Sequence, residues 1–264
     1  MKYRYEEFTW PEIRTAVAAS RVAVLPVGTV EQHGPHLPLV TDVLTAGEIS
    51  RLAVERDPAR AVLLPPVYYS FNEHHLDFPG TIAVAGETIV RYVTDIGLSL
   101  AHHGFRKILL VNGHGSNVPF LDIAARNITN QTPAICAMVS WWSLIPKALF
   151  AELRESEKPG GMAHGCELET SVLLHLRPDL VRMELAEKDI NFAPTEFFYW
   201  DLETPAPVHF QEWFSRYSHT GTVGDPTKAT AEKGAQFVNA VVERMCLLLE
   251  DFQNREIRPR VDHH

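Results

Sequence analysis

The segment PVGTVEQHGPHLPLVTDVL, residues 26–44, sets Glu31, His33, His36 and Asp42 just beyond an apolar run. Carboxylates and imidazoles are the oxygen and nitrogen donors that zinc, manganese and iron accept. Any one of these residues alone reads as a helix cap or a surface histidine, but four within twelve positions read as ligands. In an extended stretch Glu31 and His33, two apart, leave the chain on the same face and reach adjacent metal positions. Asp42 stands near the start of the next helical segment, where a carboxylate also suits the free backbone amides, so an N-cap is its alternative role. Gly28, Gly34, Pro35 and Pro38 make the intervening backbone turn-rich, as binding loops are.

Two further segments supply the same donor types. In VNGHGSN, residues 111–117, His114 sits between glycines at the end of an apolar run; small residues there let metal or substrate approach the backbone, and Asn117 is placed to cap the next helix. In AHGCELETSVLL, residues 163–174, His164, Glu167 and Glu169 head an apolar stretch, with Glu167 in the first turn if a helix begins near Cys166. Pro159, Gly160 and Gly161 make a turn before His164. No GxxxxGK[ST] or GxGxxG pattern follows any apolar run, which argues against a nucleotide site.

These loops need elements to hold them. Apolar runs at 22–27, 61–66, 107–112 and 133–140 read as strands. Between them 41–56, 86–101 and 117–128 read as helices, the second with Ile89, Val93, Ile96 and Leu100 on one stripe. Asp225 before Pro226 reads as an N-cap opening a long last helix with Val238, Val241, Met245 and Leu248 facing inward. Alternation of this kind predicts an α/β fold, a mostly parallel sheet flanked by helices, in a single domain spanning 1–264. Residues 187–222, with Phe192, Phe197, Phe198, Tyr199 and Trp200 but no period, read as an irregular excursion.

Composition narrows the function classes. The 264 residues are 45% hydrophobic and 22% charged, which fits a globular protein rather than a disordered tract. With 24 Lys+Arg against 33 Asp+Glu, net −9, and no basic cluster, nucleic acid is not an expected partner. No apolar run nears the roughly 20 residues that span a bilayer, and Glu6 and Glu7 interrupt the position of a secretory signal. A cytoplasmic location is therefore expected, with no membrane partner. Cys136, Cys166 and Cys246 form no CxxC pair and predict no disulfide framework.

GTVEQHGPHLPLVTD (28–42), FPGT (78–81), NGHGSN (112–117), HGCELETS (164–171) and GDPTKATAEKG (224–234) occur in one order along the chain. With them the sequence resembles the creatininase family of metal-dependent amidohydrolases. The resemblance implies a sandwich-like α/β fold, two divalent metal ions per chain of zinc, manganese or iron type, and a homo-oligomer, often a hexamer. It implies that Glu31 and His114 hold one metal, His33 the other, that Asp42 bridges both, and that His164 is the acid/base residue. Two positions depart from the family's namesake enzyme: Ser116 stands where it has a glutamate, and Gly160 where it has a tryptophan. These departures point away from creatinine as substrate. Many relatives carry an extra glutamate in the later motif, so the resemblance makes Glu167 the candidate for the remaining metal ligand. Glu169 is second for that role, and otherwise a catalytic group beside His164. Trp141 and Trp142, after a strand exit, His75 with His74 before FPGT, and Ser116 are candidate substrate contacts.

The expected function is hydrolysis of a small cyclic amide or related carbonyl by metal-activated water. An alternative keeps the metals but cleaves a C–C bond of a cyclic ketone of inositol or sugar origin. A third reading, a non-catalytic binding protein with structural metals, fits less well, because structural zinc sites usually close four ligands, often with cysteine.

Overall fold

A computed structural model describes residues Met1–His264. Its centre is a four-stranded sheet, order β2-β1-β3-β4, formed by β1 (Val22–Val27), β2 (Ala61–Leu63), β3 (Lys107–Asn112) and β4 (Ile135–Ser140). All neighbours are parallel, with Val22 opposite Ala61, Ala23 opposite Ile108 and Lys107 opposite Ile135. Alternation along the strands divides the core in two. Val22, Val24, Leu109 and Val111 face α2 (Thr41–Arg56), α6 (Glu167–Leu176) and α7 (Ala231–Asn254). Ala23, Leu25, Val27, Ile108 and Leu110 face α1 (Trp10–Ala18), α3 (Gly86–His102) and α4 (Val118–Gln131). Both faces of β1 and β3 are covered, so these strands are continuous apolar runs, as buried parallel strands are.

The chain runs from β1 outward to β2, and from β3 outward to β4 on the other side, so the winding reverses between β1 and β3. Ligands of open α/β sheets collect at the carboxyl ends of strands beside such a reversal. Here two glycines act at that place. A Cβ on Gly28, just after β1, would lie 2.5 Å from Val43 N, and one on Gly113, just after β3, 2.3 Å from the Asp42 carbonyl oxygen. Neither obstacle is a movable side chain, so only glycine lets the first turn of α2 sit directly on both strand ends. Gly113 therefore makes room for a helix, not for metal or substrate as its sequence context suggests.

Helix ends differ from expectation in three places. Val40, not Asp42, precedes α2, and the Asp42 carboxylate caps nothing. Asn117 makes no side-chain cap to α4. Asp225 caps a separate 3-10 turn, Pro226–Lys228, and α7 starts later, with Thr230 Oγ1 accepting from Lys233 N. Two short pieces complete the frame: α5 (Lys147–Leu153), and an antiparallel pair, β5 (Met162–His164) with β6 (Val223–Gly224). Residues 187–222 contain one short 3-10 turn, Phe214–Arg216, and otherwise no regular element. Hydrogen bonds hold this segment instead: Asp189 Oδ2 accepts from Ser218 Oγ, His219 N, Thr220 N and Thr220 Oγ1.

Candidate metal centre

Glu31 and His33 lie on the loop after β1, Asp42 in the first turn of α2, His114 after β3, His164 at the end of β5 and Glu169 in the first turn of α6. Glu31, His33, Asp42, His114 and Glu169 are all buried, and His164 nearly so. Three groups of donor atoms each lie within 4.8 Å of one another: Glu31, Asp42 and His114; His33, Asp42 and Glu169; and Glu31, His33 and His164. Asp42 divides its oxygens between the first two. Its Oδ1 is 3.0 Å from His33 Nε2 and its Oδ2 is 3.3 Å from His114 Nδ1. On either side, Glu31 Oε1 is 3.1 Å from His114 Nδ1 and Glu169 Oε1 is 3.8 Å from His33 Nε2.

Local hydrogen bonds aim these groups. His33 Nδ1 lies 3.3 Å from the Glu31 carbonyl, an acceptor, so Nδ1 carries a hydrogen and Nε2 is the nitrogen that faces Asp42 and Glu169. The Asn112 carboxamide clamps the next loop, accepting from His114 N and donating to His114 O. Glu169 Oε2 accepts from Gly165 N, leaving Oε1 for the cluster.

The donor set fits a divalent metal on one specific ground. Both oxygens of Glu31, Oδ2 of Asp42 and Nε2 of His33 are buried without a hydrogen-bond partner, and these three residues supply donor atoms to the groups above. Unpartnered buried carboxylate oxygens are costly unless a cation satisfies them. No Lys or Arg pairs with Glu31, Asp42 or Glu169, whose only ionic neighbours are imidazoles. Titration tells the same story. Burial works against a charged His33, but Asp42, Glu169 and Glu31 outweigh it and push the group up to about 9. Burial likewise opposes charge on His114, and Glu31 and Asp42 push it up to about 10. Burial raises Glu169 to about 7 against the attraction of His33. Burial also disfavours charge on Asp42, yet His33 and His114 hold its carboxyl well below the usual range. Without metal, the carboxylates hold protons on the two imidazoles that a metal pair would displace.

Two expected ligands lie elsewhere. Glu167 accepts from Glu155 N, Ser156 N and Lys233 Nζ, the last at 2.6 Å, and its carboxylate belongs to a buried ion pair between α6, α7 and the chain after α5. Glu169, not Glu167, is the glutamate of α6 whose carboxylate joins a donor group. His36 is buried with Nε2 2.9 Å from Thr170 Oγ1, and joins none of the three groups. Among the candidate substrate contacts, Trp141 is 1% exposed and belongs to the hydrophobic core, so it does not offer the open ring face expected of it, while Trp142 is half-buried and packs edge-on against it. His75 lies at the site, with Nε2 3.8 Å from Glu31 Oε1, and Ser116 Oγ is 3.0 Å from His74 Nε2 at its edge. Cys166 packs beside the site, with Sγ 3.6 Å from Glu169 Oε2.

Two residues that sequence reading passes over are also here. Phe214 stacks on His75 at 4.2 Å between ring centroids and lies 4.7 Å from His164, with Trp200 parallel to it at 5.9 Å. The signal was the length of the irregular, aromatic-rich stretch, since loops that long in compact domains usually carry function. Gln32 lies within hydrogen-bond distance of His75 and His164 and gave no signal beyond standing between Glu31 and His33. Two surface hollows lie away from all of this: about 570 Å³ between α3 and α4 and about 280 Å³ beside α4 and β4, neither lined by a residue of the centre.

An α/β sheet whose strand ends gather buried carboxylates and imidazoles in this way defines a metal-dependent hydrolase. The family of creatinine amidohydrolases, the creatininases, matches residues 6–249, and the chain belongs to that family. It is 31% identical over 254 residues to creatinine amidohydrolase of Pseudomonas putida, covering 90% of this chain and 92% of that one. It is 32% identical to the mycofactocin precursor peptide peptidase of Mycobacterium ulcerans (strain Agy99), over 89% and 83% of the two chains. It is 25% identical to a 3-dehydro-scyllo-inosose hydrolase of Thermotoga maritima, over 95% and 84%. The crystal structure of a creatinine amidohydrolase superposes with a TM-score of 0.79 at 30% identity, over 94% of this chain and 97% of that one. Solved creatininases include a manganese form, TM-score 0.80, and a zinc–zinc form of a variant, TM-score 0.79, each 29% identical and matched over 96% and 99%. No helix of this chain is long and apolar enough to cross a membrane.

Proposed function

We propose that this chain is a two-metal hydrolase that cleaves the C–N bond of a small cyclic amide or related carbonyl compound. The division of the Asp42 carboxylate, 3.0 Å from His33 on one side and 3.3 Å from His114 on the other, carries the reading. A carboxylate buried between two donor groups is what a bridging ligand requires. Glu31, Asp42 and His114 would hold one ion and His33, Asp42 and Glu169 the other. Two divalent ions held there would lower the pKa of water from near 16 toward roughly 7 and polarise a carbonyl oxygen.

The chain's own groups then have these tasks. Glu31, Asp42 and Glu169 bring three negative charges to a water-poor site. Burial and His33 hold His164 well below the usual imidazole range, so it is an uncharged base at neutral pH, and its Nδ1 lies 3.7 Å from Glu31 Oε1. There it takes a proton from the attacking side and returns it to the leaving nitrogen, as general acid–base catalysis requires. Phe214 packs on His164 and His75, with Trp200 stacked on Phe214 behind it, and keeps bulk solvent from them.

The substrate panel should contain creatinine, other cyclic amides, short peptides and a cyclic polyol ketone, because relatives named for an amidohydrolase, a peptidase and an inosose hydrolase share this family. Ketone cleavage without amide cleavage would replace the C–N reading by the C–C one. The direct test is metal content per chain by mass spectrometry for protein lacking His263 and His264, beside Asp42→Ala in the same background. About two ions in the parent, both lost in the variant, are expected; unchanged content would remove Asp42 from the centre and end the reading. The resemblance and the charge pattern further support one catalytic domain over 1–264 and a cytoplasmic homo-oligomer, which light scattering on the purified chain and fractionation of its source cells would test.

A further inference from the structure

Four imidazoles converge on one oxygen, Glu31 Oε1: His33 at 4.0 Å, His75 at 3.8 Å, His114 at 3.1 Å and His164 at 3.7 Å. An uncharged imidazole has one lone pair and one N–H, so what each can do there depends on which nitrogen carries the hydrogen. We propose that Gln32 is a positioning residue that sets the tautomers of His75 and His164. His75 thereby turns an N–H toward Glu31 and stays outside the ligand set, while His164 turns a lone pair toward it.

The partners of Gln32 make this assignment. Gly34 N can only donate, and it lies 2.9 Å from Gln32 Oε1, which fixes the orientation of the carboxamide. The amide nitrogen, Nε2, then faces His75 Nδ1 at 2.8 Å. An amide NH2 can only donate, so His75 Nδ1 accepts and its hydrogen is on Nε2, the nitrogen nearest Glu31. For His164 the partner is the main-chain carbonyl of Gln32, 2.7 Å from Nε2. A carbonyl can only accept, so Nε2 carries the hydrogen and Nδ1 is the lone pair facing the centre. Gln32 Nε2 also lies 3.2 Å from His164 Nε2. The reverse tautomer would set a lone pair against the carbonyl at 2.7 Å, which is the greater penalty. Both histidines and Gln32 are largely buried, and Phe214 packs on both rings, so neither ring is free to turn over.

This inference rests on the two-metal reading for its purpose and on hydrogen bonds alone for its geometry. It gives a reason why His75, as close to Glu31 as His164 is, does not compete for metal. It also identifies Nδ1 of His164 as the nitrogen that receives the proton. Gln32→Glu isolates the effect. A carboxylate still accepts from Gly34 N but has no N–H to offer His75, so His75 must carry its hydrogen on Nδ1 and turn its Nε2 lone pair toward Glu31.

The test is a long-range proton–nitrogen correlation spectrum of the full chain labelled with nitrogen-15 histidine, metal-free and zinc-loaded. The two residues are assigned with His75→Gln and His164→Asn. In the parent, His75 and His164 should both carry hydrogen on Nε2 alone in the metal-free protein. In Gln32→Glu the His75 signals should move to those of an Nδ1–H ring, with His164 unchanged. A parent His75 or His164 protonated on Nδ1, or a His75 that does not respond in Gln32→Glu, would overturn the proposal. If that variant does not fold, the parent spectrum alone decides. The expected tautomers in a protein that binds no zinc would uphold Gln32's role while sinking the two-metal reading; zinc binding with the opposite tautomers would do the reverse.

Discussion

Glu167→Gln should cost stability and spare metal, and Glu169→Gln should do the opposite. Glu167 is fully buried and its partner Lys233 nearly so, at 2.6 Å. Removing one partner of a buried ion pair costs about 3–5 kcal/mol. Lys233 keeps Glu155 at 2.7 Å, and glutamine still accepts a hydrogen bond, which puts the loss at the lower end. With unfolding entropy of about 2.1 cal/mol/K per residue, 264 residues give about 0.55 kcal/mol/K, so the melting temperature should fall by about 5–6 °C. Zinc content should not change. Glu169 sits near half protonation at neutral pH, so its amide replacement should cost at most about 1 kcal/mol in the metal-free protein. It removes one of three donors around His33, and zinc should fall from about two ions per chain to about one. Both quantities come from one preparation: differential scanning fluorimetry after EDTA treatment, and mass spectrometry after reloading with zinc and desalting. A Glu167→Gln protein that melts normally but has lost a zinc would refute the assignment of the two glutamates, as would a Glu169→Gln protein retaining both ions.

The metal-free protein should lose stability as pH rises. His33 and His114 have folded values near 9 and 10, above the ordinary 6.5, so their contribution is complete below pH 6.5 and disappears as pH climbs through 9 to 10. Glu169, raised to about 7, slopes the same way between pH 4.5 and 7. Melting temperatures across pH 6 to 10, with and without zinc, check this, and a metal-free curve that rises over that window would contradict it. For the same reason zinc affinity should increase with pH, by on the order of tenfold per unit for each proton displaced, as competition with a chelator would read out. Gly113→Ala puts a Cβ 2.3 Å from the Asp42 carbonyl oxygen and should cost about 1–3 kcal/mol together with zinc, while Gly115→Ala, which meets nothing within 4 Å, should change neither. Equal behaviour of the two in melting and metal analysis would count against α2 being seated on the strand ends. His164→Ala should keep both ions and lose about 10²–10⁴-fold in turnover of whichever panel compound is cleaved; lost zinc would instead make it a ligand.

Much of this protein was legible without its structure because the signals are local. Apolar runs of strand length located β1 and β3 at their observed bounds, and the 3.6-residue period and flanking residues located α2 from Thr41 to Arg56. Both strands are covered on two sides, so period and burial agree. The donors Glu31, His33, Asp42, His114 and His164 were legible as types, because buried clusters of carboxylate and imidazole outside helix interiors have few other uses. Trp141 shows where this kind of reading stops. An aromatic at a strand end suits a pocket and a core equally well, and here the core between the sheet and α2, α6 and α7 absorbs it.

Glu167 and Glu169 mark the boundary most clearly. They are two positions apart on α6, hence about 200° apart around its axis, so only one can face the centre. Their residue types, their places in the first turn and their burial are alike. Which one turns inward depends on the rotation of α6 about its own axis, and packing against α2 and α7 decides that rotation. Lys233 on α7 then captures the glutamate left on the far side. Gln32 belongs with them, since its partners arrive from β5 and from the turn at Glu73–His75, far away in sequence. The sequence by itself determined the donor inventory and the elements that carry it, because spacing and periodicity are properties of short segments. Only the tertiary structure decided how those donors divide between two positions, because phase, tautomer and close approach exist only once distant segments meet.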